Sequence, residues 1–189
     1  MPSRYFRAAI AAAGLVAAGL LAGCVATTTS RGDISTWYDR SFMVTATQDG
    51  TLPVVVHGQP AASVDAAATV DLMTANISMP SWLPETQLVP GNQDMRYRMV
   101  LIFNPASPGR AHLNACGPLE ELEVLPPAAR IDVVGSICDG RDAATRSRDS
   151  VNAGDDPADA TLRLLRQLTV TLMPAENPAH RANIRAGGP

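Results

Sequence analysis

The chain contains no lysine: all fifteen basic residues are arginine, set against eighteen acids for a formal charge of −3. Binders of nucleic acid carry a basic surplus, so the balance argues against that class of partner. Combined with abundant alanine and proline, the missing lysine suggests a GC-rich genome. Selection for bidentate anion contacts, which arginine makes better, is the alternative. Histidine and cysteine number three each. There is no His-Glu-x-x-His, and no pair of closely spaced cysteines. The set His57, His112, Cys116 and Cys138 therefore lacks the ligand spacing of a zinc site, and neither a metal nor a cofactor is expected. No Gly-x-Ser-x-Gly elbow or glycine-rich phosphate loop occurs, and Gly135-Ser136 lies inside an apolar strand pattern. Glu120, Glu121 and Glu123 read as a solvated charged face rather than a glycosidase pair. No catalytic set is legible, and the expectation is a protein that is not an enzyme.

What the chain does carry begins at its start. Met1 to Arg7 holds two arginines and no acid, and Ala8 to Ala22 is uncharged and alanine-rich. That run is shorter than the roughly 20 residues a spanning helix needs, and it ends in small residues that suit a peptidase. Leu21-Ala22-Gly23-Cys24 closes it. This stretch resembles the lipobox of bacterial lipoproteins, and the rest of the chain looks like uncharacterised small lipoproteins of proteobacteria. The resemblance implies a diacylglyceryl group on the Cys24 thiol, removal of residues 1–23 and acylation of the new amino terminus. Two or three acyl chains hold stably where one is marginal. Val25, in place of Asp after the lipidated cysteine, implies an outer-membrane location with the protein facing the periplasm. A chain starting at Cys24 keeps thirteen arginines and all eighteen acids, which gives no polybasic grip on lipid beyond the anchor.

With Cys24 assigned to lipid, Cys116 and Cys138 remain. In an oxidising compartment such a pair favours a disulfide over two free buried thiols. Residues 24–36, rich in Ser and Thr, read as a lipidated tether. Arg31-Gly32-Asp33 is a three-residue match without weight. Residues 37–174 read as one domain and 175–189 as a flexible tail, polar and rich in Pro and Gly.

Within that domain, Ser41–Thr47 and Thr51–His57 have strand composition, with Asp49-Gly50 between them as hairpin chemistry. Pro53 cannot donate to a ladder, which places the second strand late-starting or at an edge. Ala61–Asn76 changes to helical spacing, with Ser63 as candidate cap and Val64, Ala68, Leu72 and Ala75 on one face. Arg96–Phe103 is the strongest strand, becoming continuously apolar as in a covered sheet centre. Arg130–Cys138 and Ala143–Asp149 follow, joined at Asp139-Gly140. Asp156-Pro157-Ala158-Asp159 starts a helix whose face is Leu162, Leu165, Leu168, Thr169 and Leu172. The order predicts an α+β fold: an antiparallel sheet of about five strands with two helices packed on one face. A β-sandwich with peripheral helices is the alternative.

Two places invite contact with something else. Arg141, Arg146 and Arg148 form the one basic cluster, with Arg146 and Arg148 on one strand face. They suit a carboxylate or phosphate, or else pair within the chain. Trp82, between Pro80 and Pro84, plugs one end of the core or stacks on a ligand. The sequence therefore predicts a lipid-anchored envelope protein that acts as an accessory or interaction factor. Its partners would be the membrane, through the lipid, and another envelope protein. The alternative is a periplasmic module binding a small anionic or apolar ligand.

Overall fold

The computed structural model describes residues 28–29 and 32–178. Cys24, the leader, Arg31, His180 and the rest of the tail from 179 lie outside the described residues. The strands are β1 (Thr28–Thr29), β2 (Asp33–Ile34), β3 (Thr51–His57), β4 (Gln87–Pro90), β5 (Tyr97–Phe103), β6 (Arg130–Asp139) and β7 (Asp142–Asn152). The helices are α1 (Arg40–Ala46), α2 (Ala66–Asn76), α3 (Pro108–Asn114) and α4 (Pro157–Leu172), with a 3-10 turn at Leu119–Glu121. The sheet order is β1-β7-β6-β5-β3-β4, and β2 shares with β1 the same edge of β7.

The α+β class stands, but the sheet is mixed rather than antiparallel, it has more than five strands, and helices cover both faces. β3 runs parallel to β4 and β5, while every other pairing is antiparallel. The cause is α2, which carries the chain from the end of β3 back to its start, as a parallel neighbour requires. After β4 the chain passes β3 at Gly91, whose N–H donates to Val54 O (2.9 Å). A Cβ there would stand 2.7 Å from the Pro53 Cβ.

β5 is buried on both faces, which explains its unbroken apolar run. Met99, Leu101 and Phe103 join the cluster formed with Leu164, Leu165 and Leu168 of α4. Val100 and Ile102 face the other way, toward Ala111 of α3 and Ala115. Gly135 of β6 lets α4 approach closely: a Cβ would fall 2.8 Å from Leu168 Cδ2 and 2.9 Å from Leu172 Cδ1.

Three local expectations change. Ser41–Thr47 falls largely in α1 instead of forming half of a hairpin, because the Asp39 carboxylate accepts from Phe42 N (2.9 Å) and caps a turn. That cap puts Met43 and Ala46 in the core. Gly50 does take a left-handed conformation (φ 70°), joining a helix to a strand. β3 starts at Thr51 and lies inside the sheet despite Pro53; its ladder with β5 begins only at Val54↔Met99, so the missing N–H costs no rung there. In α2 the cap is Asp65, accepting from Ala68 N, and not Ser63. The buried face is Thr69, Val70 and Met73.

The segment expected as a tether supplies β1 and β2, so the sheet begins well before residue 37. It is pinned further on: Ser35 N donates to Ala144 O (2.9 Å), and Asn177, buried, donates from Nδ2 to Ser35 O and Tyr38 O. Residues 175–178 therefore include an anchored position, where a flexible tail was expected.

Candidate functional site

The far end of α2 and the far end of α4 leave a groove of about 660 Å³. Its position follows from topology: both helices run back along the sheet, so their C-terminal ends meet at the end where β3 and β5 begin. Pro80-Ser81-Trp82 closes one side, and Arg166 Nη2 bridges to Asn76 O (3.3 Å) at the back. Ile77, Trp82, Val170, Met173 and Pro174 give it an apolar wall. Val170 is 70% exposed, on a helix whose other exposed positions are polar. Trp82 packs partly on the core, as expected of a plug, and also lines the groove. The Arg40 guanidinium lies 5.2 Å from its ring centroid, within cation–π range.

A second, more polar cleft of about 280 Å³ lies at the same end of the sheet, between loop 93–95, the turn at Cys116–Pro118 and the β6–β7 hairpin. Cys116, joined to Cys138 by a disulfide with Cα atoms 5.6 Å apart, is part of its lining. At its back Arg98 is only 4% exposed. Its Nη1 donates to Met95 O (2.7 Å) and its Nη2 to Cys116 O (2.9 Å). Arg98 Nε has no hydrogen-bond partner among the described residues. Burial lowers the Arg98 guanidinium below the ordinary arginine value, opposed in part by Asp94.

The three arginines of the sequence cluster separate. Arg141 stands exposed at the rim of the polar cleft with Asp94 and Glu120. Arg146 and Arg148 lie farther along β7 on one face; Arg146 is half-buried across the ladder from Asp33 and Ser136. His112 Nε2 meets Asp33 Oδ2 at 2.7 Å, an ion pair when the imidazole is protonated. Neither Arg146 nor Arg148 lines a cleft with Trp82.

His57 Nε2 bonds to Leu122 O (2.7 Å). Ser136 Oγ, fully buried, donates to Thr145 O (2.8 Å). Glu120, Glu121 and Glu123 are solvated on the 3-10 turn and just after it. Among the described residues no three His, Cys, Asp or Glu side chains are grouped to hold a metal, and no helix is long and apolar enough to cross a membrane.

Two residues that line these clefts carry little signal in the sequence. Arg98 was legible only as a charge followed by five apolar residues, a pattern that also fits a strand entering the sheet. Val170 was legible as the one apolar residue on the polar side of α4. No protein-family model, curated protein or solved structure matches the chain.

Proposed function

We propose that this chain is a lipid-anchored envelope protein, held at the outer membrane through Cys24 and facing the periplasm, that acts by binding a partner rather than by catalysis. The observation that carries the reading is the open groove between α2 and α4, with Trp82 in its wall and Val170 presented to solvent. An aromatic ring, two prolines and aliphatic side chains around about 660 Å³ suit an apolar segment of another protein. Arg40 and Arg166 at the margins would meet polar or acidic flanks of that segment. The lipobox resemblance supplies the anchor.

The test has two steps. Intact mass of the membrane-extracted protein, with and without Cys24→Ser, is expected to show a Cys24-dependent acyl gain and loss of residues 1–23. A photocrosslinking residue at position 170 is then expected to give one discrete adduct in cells, abolished by Trp82→Ala. An unmodified Cys24 removes the anchor, and adducts unaffected by Trp82→Ala remove the groove. Turnover of a substrate by the purified protein would overturn the binding reading itself.

A second reading has its own observation, the buried Arg98 charge in the polar cleft. A small carboxylate or phosphate there, shared with Arg141, would compensate the lost hydration. Isothermal titration with citrate and inorganic phosphate tests it: binding is expected to disappear in Arg98→Met and weaken in Arg141→Ala.

A further inference from the structure

We propose that the folded domain sits directly on the lipid surface, seated by the loop Val124–Ala129, with the Trp82 groove turned away from the membrane. This rests on the anchored reading of Cys24 given above. Only residues 25–27 separate Cys24 from Thr28, and Thr28 is already paired with Ser150 in the sheet. Four residue steps reach at most about 14 Å even when fully extended, so no long tether lifts the domain.

The pairing also fixes which end of the sheet lies nearest the anchor. Thr28 pairs with Ser150, which pairs with Asp132 of β6. Ala129 lies three residues beyond Asp132, roughly 10 Å farther along the strand direction, and its carbonyl accepts from Ala153 N (2.8 Å). The loop leading into it, Val-Leu-Pro-Pro-Ala-Ala, carries no charge, and Leu125 is 50% exposed. An uncharged, exposed loop beside a lipid anchor is placed to enter a bilayer interface. Glu123, Asp155 and Asp156 lie at the same end and restrict that contact to the headgroup layer, because their carboxylates resist dehydration. Arg130, exposed next to the loop, donates from Nε to Asp132 Oδ1 (3.0 Å) and from Nη2 to Ser150 Oγ (2.5 Å), so only Nη1 is left to meet lipid phosphates.

The groove lies the other way. Thr145 Oγ1 donates to Leu172 O (2.7 Å), so the end of α4 is five strand residues from Ser150, on the side away from Ala129. About 25 Å of strand therefore separates the loop from the groove. A groove at that height is supplied from the periplasm, so its occupant is a segment of a soluble or facing protein and not an acyl chain from the bilayer.

The experiment uses membrane-extracted, acylated full-length protein in vesicles of phosphatidylethanolamine and phosphatidylglycerol carrying headgroup-spin-labelled lipid. Two variants each hold one tryptophan: Trp37→Phe keeps Trp82, and Trp37→Phe/Trp82→Phe/Leu125→Trp places the ring on the loop. The Leu125→Trp fluorescence is expected to be largely lost to the spin label, and that of Trp82 to be retained. Hydrogen exchange of the same samples is expected to show slow amides in Thr28–Thr29 and Asp33–Ile34. Quenching of Trp82 to the extent of Leu125→Trp, or free-chain exchange in Thr28–Thr29 and Asp33–Ile34 in an acylated protein, overturns this proposal and leaves the anchored reading standing. A mass showing no acyl group on Cys24 overturns both.

Discussion

Removing the Cys116–Cys138 cross-link is the sharpest test of how the polar end of the sheet is held. The cysteines are 22 residues apart, and closing a loop of that size lowers the entropy of the unfolded chain by about 11 cal/mol/K, or roughly 3.4 kcal/mol at 25 °C. Alanine is the right replacement at both positions. Both sulfurs are buried beside Ser136, whose Oγ lies 3.3 Å from Cys116 Sγ, so serine would add hydroxyls to a buried site. Deleting the sulfur volume costs about 1 kcal/mol more. The Cys116→Ala/Cys138→Ala variant is therefore expected to lose about 3–5 kcal/mol by urea titration followed by circular dichroism. At about 2–4 °C per kcal/mol for a chain of this size, its Tm falls by roughly 10–15 °C. The m-value is expected to rise as well, since an unlinked denatured chain exposes more surface. A loss below about 1 kcal/mol with an unchanged m-value would refute the reasoning, because the denatured chain would then be compact without the link.

Gly135→Ala is expected to destabilise by about 1–3 kcal/mol in thermal melts, because the new methyl meets Leu168 and Leu172 at under 3.0 Å; a variant as stable as the parent would show that α4 yields freely. Tyr38 is buried and donates to Pro174 O (2.8 Å), and burial, with the Asp39 charge second, raises its phenol above the ordinary value of 10.0. The unfolded chain then releases the proton first, so stability is full below about pH 10 and falls above it by up to about 1.4 kcal/mol per pH unit. Tyr38→Phe is expected to flatten that alkaline decline in urea midpoints, and an unchanged slope would exclude Tyr38 as its source. Asp156→Ala removes the carboxylate that accepts from Asp159 N (3.0 Å) and is expected to cost about 1 kcal/mol by the same titration.

The parts of the fold legible in the sequence are those whose burial is written into consecutive residues. β5 and β6 announce themselves by apolar runs, and α4 by Asp156-Pro157 followed by leucines three and four apart. What was missed depends on partners distant in sequence. Phe42, Val44, Thr45 and Thr47 have strand composition, but Asp39 caps a turn and Met43 packs into the core, so tertiary burial overrides propensity. Thr69 is polar, but its hydroxyl bonds back to Asp65 O (2.7 Å), and α2 buries Thr69, Val70 and Met73 where the spacing pointed to Ala68, Leu72 and Ala75. β1 and β2 contain Thr and Asp and have no pattern of their own; only the free edge of β7 makes them strands. Of the candidate site, the cysteine pair followed from parity and Trp82 from its flanking prolines. The dispersal of Arg141 from Arg146 and Arg148 did not, because it depends on where the hairpin ends.

That edge pairing links the folding argument to the functional one. An uncovered β7 would present a row of free backbone groups, a standing invitation to another strand. β1 and β2 occupy that edge over Thr145–Arg146 and Asp149–Ser150, and Asp33 ties the same segment to α3 through His112 (2.7 Å). A chain segment that follows directly on the proposed lipid attachment is thus also the segment that closes the sheet. On the proposed anchoring, lengthening it would do more than raise the domain from the surface; it would loosen the cover on β7. Shortening it would draw β1 off the ladder. On the proposed anchoring, anchor spacing and sheet integrity become one constraint, which gives a physical reason for Thr28–Thr29 and Asp33–Ile34 to be paired on β7.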